Sequence, residues 1–212
     1  MKLSGLVQRI SRKTGEQDLN FNEFGHQRVD AYLPDYTQMA KQRRIFGAST
    51  GAGTAIAPVT AIPTTAAAWA LFNPEEPGGP SYAILQVGCY SVSGTLGLGM
   101  SLLGTVAQAP VTGTKPAAYA SSVMANLTGS KKLPAAILAQ AVTLVDTAAW
   151  VVLASRDQVS AVSVGSGLVA DVKGMLIVPP QHVAGFTILA PVGTTALFGV
   201  SIVAAELDLD IE

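Results

Sequence analysis

Three short apolar runs close the chain between Leu168 and Glu212, broken by the Pro179-Pro180 pair, a glycine and the Pro191-Val192-Gly193 turn, and ending in alternating acids. Runs of this length, rich in Val, Ile and Thr and bounded by Gly and Pro, are strand signals. The clearest strand lies upstream, over Tyr82 to Ser93. Ile84 and Tyr90 fall on one parity, Leu85, Val87 and Cys89 on the other, so both faces are partly apolar and the strand should be covered on both sides. Leu96 to Val106 continues as strand, with Gly97, Gly99 and Gly104 marking bulges or close backbone approach.

The remaining pattern follows the same cadence. Thr54 to Ile62 and Thr65 to Phe72 are apolar runs separated by Pro63, which has no N–H to give to a ladder. The alanines from 66 to 70 lower strand propensity and leave a helical turn around Trp69 open as the alternative. Asn73 to Pro80, with three prolines and two glycines, is a loop. Ala107 to Pro134 reads as a long connection with one strand near Ser121 to Leu127, and long connections usually contact a neighbour or carry function. Ala135 to Val145 and Thr147 to Ala154 form the next pair of strands around Asp146, and Gln158 to Val164 is a short alternating one. About nine or ten strands at roughly 10 to 14 residue spacing predict an all-β protein, a jelly-roll-like β-sandwich over residues 47–212.

Residues 1–46 are polar and mixed in charge, and we assign them to an N-terminal arm, partly irregular or with a short helix. Leu3, Leu6, Val7 and Ile10 have helical spacing, and Tyr32 to Ala40 reads as a turn leading into a short helix or an extended link. Composition suits a flexible terminus equally well. The arm reading rests on Phe21, Phe24, Tyr32, Tyr36 and Phe46, aromatic side chains that gain free energy only against a surface.

Charge changes the picture in two ways. Charged residues make up 13% of the chain, well under the usual share of about 25%, while 49% is hydrophobic. The apolar segments are interrupted before the roughly 20 residues a membrane helix needs, so the expectation is a weakly charged surface covered by symmetry mates, with no membrane partner. The net charge of −1 argues against nucleic acid as the principal partner of the chain. Its distribution is uneven: residues 1–46 hold eight Lys or Arg and five acids, residues 47–212 five and nine. The N-terminus lacks the apolar core of a secretory signal, and export by that route is not expected.

Catalytic and metal chemistry find no constellation. His26, His182 and Cys89 lack any metal-ligand spacing, and Cys89 within a strand reads as a small buried apolar residue. Gly47 to Gly53 and Gly94 to Gly99 lack the Gly-Lys-Ser/Thr ending of a phosphate loop. Ser163 to Gly167 lacks the nucleophile-elbow spacing. Asn126-Leu127-Thr128 matches a glycosylation sequon by pattern alone. We therefore expect no enzyme, no cofactor and no metal. Glu206, Asp208, Asp210 and Glu212 alternate with Leu207, Leu209 and Ile211, which puts the carboxylates on one face of an extended chain. Such an edge blocks edge-to-edge pairing. Alternatively, it receives the basic cluster Lys41, Arg43 and Arg44 of another subunit. The candidate subunit-contact residues are thus Phe21, Phe24, Tyr32, Tyr36, Lys41, Arg43, Arg44, Glu206, Asp208 and Asp210.

Leu71-Phe72-Asn73-Pro74 before a Gly/Pro turn and the strand Tyr82 to Gly88, then Ile177-Val178-Pro179-Pro180, then Gly193-Thr194-Thr195-Ala196-Leu197-Phe198 opening a last strand that ends at Glu206, together resemble virion structural proteins of tailed bacteriophages, of the β-sandwich head decoration or cement type. The final strand departs from that pattern in lacking a tryptophan beside the acid. The resemblance implies a non-enzymatic protein, often trimeric, that stabilises a phage head. Its partners would be further copies of itself and other virion proteins such as the major capsid protein; its place would be the virion, after synthesis in the host cytoplasm. A jelly-roll shell protein of the capsid, or a fibre, receptor- or carbohydrate-binding module, is the alternative.

Overall fold

A computed structural model of the chain describes residues 10–12, 15–17, 35–50, 55–108, 124–144, 149–157, 162–163 and 167–208. Two compact units divide it, Met1–Gln38 and Met39–Glu212. The first contains a small antiparallel pair, β1 (Ile10–Arg12) with β2 (Gly15–Gln17). The helix α1 (Asp35–Lys41) spans the division, following Pro34 and closing with Lys41 in its last turn, where a cation suits the exposed carbonyls.

The second unit is an antiparallel β-sandwich, as the strand cadence predicts. Its longer strands are β3 (Ile45–Ser49), β4 (Ala66–Phe72), β5 (Ser81–Ser93), β7 (Gly99–Gln108), β9 (Ile137–Thr143), β10 (Val151–Asp157), β12 (Gly167–Val178), β13 (His182–Leu189) and β14 (Leu197–Leu207). Short β6 (Thr95–Leu96), β8 (Ala125–Asn126) and β11 (Val162–Ser163) complete it. One sheet runs β10-β7-β13-β4-β9, the other β12-β5-β14-β3-β8, and β6 pairs with β11 apart. Trp69 lies in β4, so the helical alternative for the alanine-rich run is set aside. Sheet pairing and burial outweigh the weak strand propensity of alanine here.

The pairings β4·β13, β5·β12 and β7·β10 are nested in sequence, the arrangement of a long hairpin folded over itself as in jelly rolls. Innermost β8 and β9 leave that scheme: β8 joins β3 in one sheet, β9 joins β4 in the other. The strands expected as a pair after Ala135, β9 and β10, sit at opposite edges of one sheet. Of the three C-terminal strands, β13 and β14 are central, whereas β12 is an edge.

Of the run Thr54 to Ile62, expected as a strand, the described part, residues 55–62, is instead a strap across the end of the sandwich. Ile56 bridges Phe198 of β14, and three residues later Val59 bridges Leu189 of β13, so the chain changes sheets around Pro58. A proline there withholds no bond that either ladder requires.

The main core lies between the sheets. Trp69, Leu71, Phe186 and Ile188 from one sheet meet Tyr82, Ile84, Phe198 and Val200 from the other. Trp69 stacks on Phe186 with ring centroids 5.8 Å apart. A second apolar cluster covers the outer face of the first sheet, with Ala70, Phe72, Val142, Leu144 and Val183. A third sits on the outer face of the other, where Met39 and Ala40 of α1 pack against Ile45, Leu85 and Ala205. The fully buried Phe46 also belongs to the main core, and with Ile45 it places the start of the body ahead of the composition break at Gly47.

The alternation expected for β5 holds only to Leu85. Tyr82 and Ile84 face the core, and so do Val87 and Cys89, on the opposite parity. On β14, Ala204 opposes Ile84 and Val203 opposes Gln86, so Leu85 is an extra residue in β5. This bulge reverses the faces beyond it and sends Leu85 to the outer cluster. It also turns Tyr90 outward, where its hydroxyl donates to the Thr50 carbonyl at 2.7 Å.

β5 ends at Gly94, whose φ of 78° lies in the left-handed region. A methyl group added there would fall 2.2 Å from the backbone oxygen of Thr195. Gly94→Ala combines a disfavoured φ with a backbone clash, and a loss of about 2 kcal/mol is expected in chemical denaturation. An unchanged denaturation midpoint would show that this turn is free to rearrange.

Candidate functional site

The segments Leu71 to Pro74, Ile177 to Pro180 and Gly193 to Phe198 are separated in sequence, and two of them meet around one side chain. Asn73 is fully buried at the end of β4. Its Nδ2 donates to the carbonyls of Pro80 (2.9 Å) and Val178 (3.1 Å), and its Oδ1 accepts from the Glu75 amide at 3.2 Å. Its backbone pairs with His182 and Gln181, whose Nε2 in turn donates to the carbonyls of Pro74 and Glu75. The Asn-Pro loop and the Pro-Pro-Gln-His turn are thus one knot. The third segment pins β6: the Thr195 hydroxyl accepts from the Thr95 amide, and that of Thr194 from the Gly97 amide, both at 3.1 Å. These are scaffold features.

His182 belongs to that knot, its Nδ1 lying 2.8 Å from the Pro180 carbonyl. Cys89 is buried, and burial pushes its thiol up to about 11, although a hydrogen bond with the Leu168 backbone acts in the opposite direction. A thiolate nucleophile is therefore disfavoured at neutral pH. Tyr82 is likewise raised to about 12, by burial first, against the opposing hydrogen bond from the Ala135 amide. Among the described residues no group of His, Cys, Asp or Glu is placed to hold a metal ion, and no helix is long and apolar enough to cross a membrane. The sequon asparagine, Asn126, is buried, and its Nδ2 donates to the Arg43 carbonyl at 2.8 Å, so the atom a sugar would need is engaged inside the fold.

Of the candidate contact residues, Phe21, Phe24, Tyr32 and Asp210 lie outside the described residues. Tyr36 and Lys41 are exposed on α1, and Arg43 is exposed in the turn that follows. The basic cluster and the acidic edge do meet, within one chain. Arg44 Nη2 lies 2.5 Å from Asp208 Oδ2, and the Glu206 amide donates to the Arg44 carbonyl. Glu206, only 8% exposed, pairs with Lys132, whose Nζ also lies 5.8 Å from the centre of the Phe46 ring. Burial demands a partner for a carboxylate, and Lys132 supplies it. The alternating pattern marks both acids but contains no sign of Lys132, which arrives from a loop 74 residues away.

A second surface escaped the sequence pattern. Edge strands β10 and β12 expose Val151, Val152, Val169 and Met175, the last at 75%. In β12, Asp171 opposes Gln86 while Leu176 opposes Ile84, so the strand bulges between them: Val172 still points into the core, while Lys173 and Gly174 take left-handed conformations. The bulge lifts Met175 off the sheet. β10 carries its own register shift, between Val152 and Ala154. Interrupted ladders of this kind discourage indefinite strand addition while leaving the aliphatic side chains accessible.

Fold and surface together define an antiparallel β-sandwich protein with a paired acidic edge and an aliphatic rim. No family model, no curated protein and no solved structure matches the chain.

Proposed function

We propose that this chain is a non-enzymatic structural protein of a phage particle, acting as a capsid decoration or cement protein that stabilises the head through contacts between its own copies. The observation that carries this reading is the rim of Val151, Val152, Val169 and Met175 on adjacent edge strands of a body poor in charge. Exposed aliphatic side chains gathered on one side of a weakly charged domain favour burial against a neighbour. The resemblance implies a virion protein as that neighbour and, as is common among such proteins, a trimeric assembly. A shell protein is the second reading, favoured by the nested jelly-roll pairings.

The rim makes a direct test. In size-exclusion chromatography with light scattering, the full chain is expected to run as a homo-oligomer, and Val152→Lys with Met175→Lys to run as a folded monomer. Both sites are exposed, so their circular dichroism should be unchanged. A wild-type monomer with no affinity for phage particles would sink the assembly reading.

A further inference from the structure

Cations are scarce in residues 47–212, and two of the five, Lys131 and Lys132, are adjacent. The fold brings them to the turn between α1 and β3, where Arg43 stands. Together with Thr128, Gly129 and Ser130 they line an open pocket of 480 Å³. We propose that this pocket is a binding site for a compact oxyanion of the phosphate class.

Its charge is the first reason. Three of the six lining residues are cationic and none is acidic. Nearby carboxylates are already committed, Glu206 to Lys132 and Asp208 to Arg44. Among the described residues, neither the Arg43 guanidinium nor the Lys131 ammonium has an acidic partner. Two uncompensated charges in one concavity favour a doubly charged oxyanion over a single carboxylate, and the planar guanidinium presents paired donors to it.

Pre-organisation is the second. Arg43 is held at a φ of 58°, a conformation few non-glycine residues adopt, by its amide bond to the Ala40 carbonyl and by the Asn126 side chain on its own carbonyl. The loop opposite is tied through four of its amides. The Leu127 amide donates to Ile45, the Thr128 amide to Asn126 Oδ1, the Gly129 amide to the Asn126 carbonyl, and the Lys132 amide to Ser130 Oγ. Ser130 Oγ thus accepts a bond while its own proton remains available to a ligand. The backbone that carries these cations is thus set before an anion arrives, and only their exposed side chains remain to be ordered on binding.

The volume accommodates phosphate with bound water, or a phosphomonoester. Because the cations are exposed, binding should be weak, with a dissociation constant on the order of millimolar, and should fall as salt rises. The site does not depend on the assembly reading, and its test has a separate readout. Inorganic phosphate is titrated into the full chain at constant ionic strength and followed by amide chemical shifts. Saturable shifts confined to Arg43 and residues 127–132 are expected. Arg43→Gln with Lys131→Gln should weaken binding at least tenfold at unchanged thermal stability. Lys173→Gln, on β12 at the far edge of the same sheet, should leave it unchanged. A parallel titration with adenosine monophosphate identifies the source, tighter binding than phosphate marking a phosphomonoester and equal binding the free ion. Failure of the wild type to saturate, or equal weakening by Lys173→Gln, overturns the proposal.

Discussion

Trp69→Ala is expected to destabilise the sandwich by about 4 kcal/mol, the largest effect of any single substitution considered for this chain. Trp69 is fully buried between the sheets, paired with Phe186 and Gln140 on its neighbours and stacked on the Phe186 ring. Truncation removes its apolar area and leaves a cavity where strands from both sides converge. Urea denaturation should report the loss as a lowered midpoint at nearly constant slope. Trp69→Phe separates packing from polarity. The indole Nε1 is buried without a hydrogen-bond partner, so phenylalanine deletes an unsatisfied donor along with part of the ring. Its loss should be about 1 kcal/mol, and a loss as large as that of alanine would show that the indole N–H is satisfied in solution.

The second large effect is expected at Asn73. Asn73→Ala abandons the buried Val178 carbonyl, the partly buried Pro80 carbonyl and the Glu75 amide, and opens the knot that joins the loop after β4 to the turn before β13. Each unsatisfied buried group costs about 1–3 kcal/mol, partly recovered by entering water, so a net loss of about 3 kcal/mol is expected. Asn73→Leu fills the same space without the donors and should be no better. Were Asn73→Leu to match the wild type in urea, the hydrogen bonds would be dispensable and the site one of packing alone.

Asn73 also shows how far the sequence reaches. As residues, Asn73 and Val178 were both visible, each beside a proline-marked turn, but nothing local says that they touch across 105 positions. The charged edge behaves the same way. Alternation placed Glu206 and Asp208 together, and composition placed Arg43 beside Arg44. That Arg44 reaches Asp208 in its own chain, while Lys132 takes Glu206, follows from β14 pairing with β3 and from the loop after β8 folding over it. The pocket at Arg43, Lys131 and Lys132 was illegible for the same reason, since its lining comes from two loops brought together by the β3·β8 ladder and the Asn126 side chain on the Arg43 carbonyl. The rim was hidden differently: Val151 and Met175 look like core residues, and only their position on edge strands exposes them.

By itself, the sequence determined that this is an all-β chain, where most of its longer strands run, and that Pro and Gly turn them, because strand periodicity, the missing N–H of proline and the left-handed freedom of glycine act over a few neighbouring residues. Tertiary structure alone decided which strands are central, that an extra Leu85 reverses the faces of β5, that the chain from Ile56 to Val59 straps two sheets, and which charges pair. Hydrophobic burial is non-directional. It tells each strand that one face must be covered, and leaves the choice of cover to the packing of the whole.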